Sequence, residues 1–167
     1  MKIKVKPKDN SPLILRLILS NRCRLCMKTI PINGFVCDDC KTEHLKIKPG
    51  IFKNQTFINR YYDNLPSPFF YAGSIRQGII NFKYKNFKRG AEFFTKEMAY
   101  CLESDFSDEE PDIITGVPMT KLHYRERNFN HTKILAKGIS KIFGIPVCHN
   151  LLIKIKDTPT QVGSSAK

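Results

Sequence analysis

Two C-x-x-C pairs, Cys23-Arg24-Leu25-Cys26 and Cys37-Asp38-Asp39-Cys40, constrain this chain more than any other feature. Ten residues separate them, with a turn-forming Asn33-Gly34 in the middle. Thiolates three positions apart can grip one metal ion from a tight turn, and a second pair completes a tetrahedral four-thiolate site with no open position for catalysis. The spacing therefore predicts a structural zinc site on Cys23, Cys26, Cys37 and Cys40. Disulfides and a redox C-x-x-C pair are the alternatives. A redox pair of the thioredoxin kind belongs beside a βαβ pattern rather than next to a second C-x-x-C.

The remaining chain sets the bounds around that site. With 167 residues, of which 41% are hydrophobic, it can bury one core and carry a short metal-held module. The apolar run Leu13-Ile14-Leu15-Arg16-Leu17-Ile18-Leu19 is too short to span a membrane and is interrupted by Arg16, so an amphipathic packing helix or strand is expected. Lys2, Lys4, Lys6 and Lys8 imitate the basic start of a secretory signal, but no small-residue cleavage site precedes Cys23. A cytoplasmic location is expected, where reduced thiols favour metal over disulfides. The net charge of +13, from 28 Lys and Arg against 15 Asp and Glu, predicts attraction to polyanions such as nucleic acid. Part of that excess accompanies abundant Lys, Ile and Asn, a bias that an AT-rich genome imposes on any protein.

Four stretches follow from composition: a basic leader and apolar segment over 1–20, the metal module over 21–45, a connecting segment over 46–67, and a larger unit over 68–167. Lys48-Pro49-Gly50 and Pro66-Ser67-Pro68 punctuate the connection. Ile75, Ile79, Phe82, Phe87, Phe93, Phe94 and Met98 then recur at helical spacing, with Asn86 dividing two helices. Lys83, Lys85, Lys88 and Arg89 lie on the polar faces, as solvated positions or as a ligand site, and Cys101 reads as a small buried apolar residue. Glu103 to Glu110 is expected to form a solvated acidic loop.

Asp112-Ile113-Ile114-Thr115-Gly116-Val117-Pro118-Met119 suits a strand buried in a parallel sheet. A basic loop with Lys121, His123, Arg125 and Arg127 should follow, then a helix from Asn130 to Phe143 ended by Gly144, and a second strand over Val147 to Ile155. Open α/β sheets place ligands at the carboxyl end of such a first strand, where two arginines and a helix start suit phosphate oxygens. A plain surface loop on a basic protein is the alternative.

Several of these residues together resemble the ComF family. They are Cys23 to Cys40, then Tyr71-Ala72-Gly73-Ser74-Ile75-Arg76, Lys83-Tyr84-Lys85, Val117-Pro118-Met119, Arg125-Glu126-Arg127-Asn128-Phe129-Asn130 and Leu135-Ala136, with Lys156 to Gln161 near the end. The resemblance implies an α/β fold: a four-cysteine zinc-ribbon-like module followed by a doubly wound, phosphoribosyltransferase-like domain, in a family associated with DNA uptake during natural competence. It makes Arg125 and Arg127 candidates for phosphate or pyrophosphate contact and Asn130 a residue that shapes the helix start. His123 and His131 read as surface or helix-start residues rather than bases. Asn128 stands where the family usually has Gly, and Asn tolerates a left-handed backbone next best.

A phosphoribosyltransferase also needs a strand closing on two acidic residues and a Thr- and Gly-rich loop that cradles the 5′-phosphate. The segment Gln161 to Lys167 supplies neither, so the expectation is an incomplete α/β domain without transferase activity. Losing a central strand would expose Ile113, Ile114, Leu151 and Leu152, forfeiting several kcal/mol at about 25 cal/mol per Å². Magnesium with phosphoribosyl pyrophosphate enters only if the missing part is supplied. The expected partners are single-stranded DNA and a separate chain that completes the domain. Two function classes stand side by side: a phosphoribosyltransferase-related fragment, and a zinc-stabilised module that binds single-stranded nucleic acid or serves as a scaffold.

Overall fold

The first C-x-x-C lies in the turn of a short hairpin in the computed structural model, which describes residues 20–47, 66–103 and 111–156. Strands β1 (Asn21–Arg22) and β2 (Thr29–Ile30) pair antiparallel, Asn21 opposite Ile30 and Arg22 opposite Thr29. Inside the turn the Cys23 amide donates to the Lys28 carbonyl at 2.9 Å and the Met27 amide to the Cys23 carbonyl at 3.1 Å. Met27 closes it with a φ of 68°, a left-handed conformation that disfavours any side chain. Asn33-Gly34 forms the expected second turn, with the Gly34 amide donating to the Pro31 carbonyl at 2.7 Å.

The second C-x-x-C opens helix α1 (Asp38–Ile47), where Asp38 and Asp39 complement the positive end of the helix dipole. The module is thus one hairpin plus one helix start, whereas two hairpin turns would make a ribbon. Helices α2 (Gly73–Tyr84) and α3 (Gly90–Glu103) follow, divided as expected at Asn86, whose φ is 52°. Gly73, with a φ of 48°, precedes a borrowed cap: the Ser74 amide donates to Glu43 Oε2 of α1 at 3.0 Å. A Cβ on Gly73 would collide with that carboxylate.

The expected basic loop after residue 120 is helical instead. Helix α4 (Lys121–Arg127) starts on Thr120, whose side chain accepts from the His123 amide, and stops on Asn128 in the left-handed region at φ 59°. Local capping at both ends outweighs the mutual repulsion of its basic residues. Helix α5 (His131–Phe143) runs as predicted, capped by the Asn130 side chain on the Lys133 amide and ended by Gly144 at φ 76°. It crosses α3 so closely that a Cβ on Gly138 would come within 2.6 Å of the Thr95 side chain.

The two strands expected on either side of α5 are not built as strands. Ile114 and Val147 form a single parallel bridge, held by Ile114 donating to Pro146 at 2.8 Å and Cys148 donating to Ile114 at 2.9 Å. Beyond it the chain leaves the ladder, and Ile113, Leu151, Leu152, Ile153 and Ile155 are exposed. A strand gains little from a ladder without neighbours to cover its faces. The described residues therefore hold five helices and one two-stranded sheet, and a phosphoribosyltransferase-like sheet is not among them.

One cluster of buried side chains joins the hairpin to the helices. Cys23, Leu25, Ile30, Val36 and Cys40 share it with Phe69, Ile75, Phe82, Phe93, Phe94 and Phe129. Its aromatic members interlock: Phe69 stacks on Phe93 at 5.8 Å, and Phe93 meets Phe94 edge-on at 5.4 Å. Cys101 is buried, as expected. No described helix is long and apolar enough to cross a membrane. The expectations for Leu13–Leu19, the connecting stretch over 48–65, the acidic loop over 104–110 and the last eleven residues lie outside the described residues.

Candidate metal centre

The hairpin turn delivers Cys23 and Cys26, the start of α1 delivers Cys37 and Cys40, and the four sulfur atoms lie within 4.8 Å of one another. A tetrahedral ion with sulfur bonds of about 2.3 Å needs sulfur–sulfur edges of roughly 3.8 Å. Cys26 Sγ and Cys37 Sγ are 3.7 Å apart. A disulfide requires about 2.05 Å, and none of Cys23, Cys26, Cys37 and Cys40 is in one.

Backbone and burial prepare the sulfurs for a cation. Burial pushes the Cys23 thiol up, but amides of Cys37, Cys26 and Leu25 aimed at its sulfur outweigh that and bring it down to about 7. The Cys37 amide lies 3.4 Å from Cys23 Sγ. Burial and the facing thiols Cys37 and Cys26 push Cys40 up, and burial likewise raises Cys26. Four sulfurs this close cannot all ionise unless a positive ion sits among them. The residues fit a metal ion, and the closed set leaves no vertex for a substrate. What such an ion supplies is cohesion between hairpin and helix.

The two residues between the first cysteine pair anchor the site to the helices. Leu25 is fully buried against α2, where a Cβ on Gly78 would come within 2.5 Å of its Cδ2. Asn81, also buried, donates from Nδ2 to the Leu25 carbonyl at 2.7 Å and accepts from Gln77 at 3.0 Å. Arg24, 8% exposed, reaches Glu92 of α3 at 3.2 Å and lies over Phe35 at 5.2 Å. Its Nη1 donates to Asn21 Oδ1 and the Arg22 carbonyl. The cysteine spacing picks out the four residues that the fold brings together and misses these anchors, because neither Arg24, Leu25 nor Asn81 belongs to a local pattern.

The candidate phosphate residues separate. Asn130 spends its side-chain oxygen on the Lys133 amide at 3.0 Å and the Thr132 hydroxyl at 2.8 Å, as a helix cap. Arg125 is exposed, whereas Arg127 turns inward, donating from Nη1 to His131 Nδ1 at 3.4 Å and lying over Tyr84 at 5.2 Å. Two positions apart on a helix, these guanidiniums diverge. His123 pairs with Glu126 at 3.0 Å. Lys83 is half-buried beside His131 and Arg127, where a solvated position is one of the two expectations.

Set against protein-family models, curated proteins and solved structures, the chain matches none.

Proposed function

We propose that this is a ComF-like module in which a structural zinc ion on Cys23, Cys26, Cys37 and Cys40 holds a helical body that binds single-stranded nucleic acid. The observation that carries the binding is at the end of α2. Tyr84 is 61% exposed, lies under the guanidinium of Arg127, and is followed by exposed Lys85 and Lys88. A second exposed ring, Tyr71, lies under Arg76 at 5.8 Å. Exposed rings flanked by cations are the pairing that sequence-tolerant recognition of unstacked bases uses, the rings stacking and the cations meeting phosphates. The charge of +13 adds long-range attraction. The ComF resemblance extends this reading to DNA uptake in a reducing cytoplasm.

Titrating zinc-loaded protein against a labelled thymidine oligomer over a salt series tests the reading. Affinity should fall steeply and linearly in log–log form as counterions are released. Tyr84→Ala should weaken binding about tenfold, since a stacked base contributes about 1–3 kcal/mol. Salt-independent affinity, or a Tyr84→Ala protein that binds as well as the parent, counts against it.

A second reading, phosphoribosyltransferase-related phosphate contact through exposed Arg125, is favoured by the parallel bridge between Ile114 and Val147 on either side of α5. Binding of phosphoribosyl pyrophosphate with magnesium by this chain supports that reading, and saturable binding lost in Arg125→Ala places it there.

A further inference from the structure

Between α2, α3, α5 and the segment before α2 lies a cavity of about 410 Å³, within the range of small-molecule sites. Its body is apolar, walled by Phe69, Ile79, Phe94, Met98 and Leu135 among others. Its polar side chains include Lys83 and His131, adjacent in space although 48 positions apart in sequence. Arg127 stands behind His131, donating from Nη1 to its Nδ1 at 3.4 Å. That contact leaves Nε2–H as the donor of the neutral ring.

Three basic groups converge at this end, and among the described residues no carboxylate pairs with them. Other residues engage Glu92 and Glu126: Arg24 and Lys96 pair with Glu92, and His123 Nδ1 lies 3.0 Å from Glu126. Arg127 also keeps a buried Nε without a partner. Burial and then the neighbouring Arg127 push the Lys83 ammonium down, and burial followed by Lys83 and Arg127 brings His131 down to about 4. Half-buried cations held together against their own repulsion are relieved by an anion, and an apolar cavity beside them selects what the anion carries.

We infer that this cavity binds an amphipathic carboxylate of the medium-chain fatty-acid class, its chain among Phe69, Ile79, Phe94, Met98 and Leu135 and its carboxylate on Lys83 and His131. A fully polar phosphate ester would leave the aromatic walls unfilled. A neutral alcohol would leave the cations unpaired. The inference does not require nucleic-acid binding, although Tyr71 lines this cavity and Arg127 touches both His131 and Tyr84.

The test is calorimetric titration of zinc-loaded protein, below the micellar range, with sodium decanoate, decanol and sodium acetate. Decanoate should bind saturably at one site and decanol about tenfold or more weaker, since hydrogen bonds to a charged group contribute about 1.5–3 kcal/mol. Acetate should not bind measurably. Lys83→Met, which removes a crowded cation from a half-buried position, should bring decanoate down to the affinity of decanol while leaving decanol unchanged. Equal affinities for decanoate and decanol in the parent protein overturn the charged end of the site. Absence of decanoate binding overturns the site altogether, and the comparison of ligands on the parent protein stands whether or not the variant folds.

Discussion

Asn81 shows how much one side chain can carry without announcing itself. It is 1% exposed, and its amide is the partner of the Leu25 carbonyl inside the cysteine turn. Replacing it by an apolar residue of similar size leaves that carbonyl and the Gln77 amide without a buried partner. Asn81→Leu should therefore cost about 1–3 kcal/mol in denaturant unfolding at saturating zinc, and should weaken metal retention as well. A substitution that is neutral on both counts would mean that water serves the Leu25 carbonyl. The cysteine cluster was legible because four cysteines at fixed spacing have few alternative uses. Asn81, by contrast, is a polar residue in a helical stretch, and only folding tells that it faces a turn far upstream in sequence. Lys83 hides for the same reason, since the groups it meets, Arg127 and His131, come from far along the chain.

Helices α2, α3 and α5 could be anticipated from apolar spacing, and their ends from Asn86 and Gly144, because those signals are local. Helix α4 escaped, since seven residues without a buried side chain have no apolar stripe, and its caps at Thr120 and Asn128 outweigh its charge pattern. The strands failed in the opposite sense. An apolar run reads as a strand, but a strand exists only through its neighbours, and here the ladder is a single bridge. The start of α5 supplies a pH dependence. Burial first, then Lys83 and Arg127, hold His131 well below its ordinary 6.5, at about 4. Above 6.5 the ring is neutral whether the chain is folded or not. Between there and about 4 the unfolded chain takes up the proton and the folded chain does not, so acidification across that window favours unfolding. A proton-NMR titration should place the His131 midpoint near 4, and the acid slope of stability should be shallower in His131→Gln. A midpoint at the ordinary value would contradict the packing of Lys83 and Arg127 against this ring.

For the whole molecule, composition divides residues 21–45 from those after 68, but the buried side chains ignore that division. Leu25 and Val36 belong to the same cluster as Ile75, Phe82 and Phe93. Removing zinc with a chelator should thus melt hairpin and helices in one transition, with far-ultraviolet circular dichroism and metal content falling together. Cys37→Ser should lower zinc stoichiometry and thermal stability in parallel. Helical signal that survives full loss of metal would show that the helices stand alone. The Arg24-Leu25 pair carries a last implication, for transplantation. A zinc-binding segment is ordinarily pictured as a cassette, portable wherever its ligands can be kept. Here the residues between the ligands are fitted to Gly78, Asn81 and Glu92, so the segment moved to another host would keep its chemistry and lose its seat.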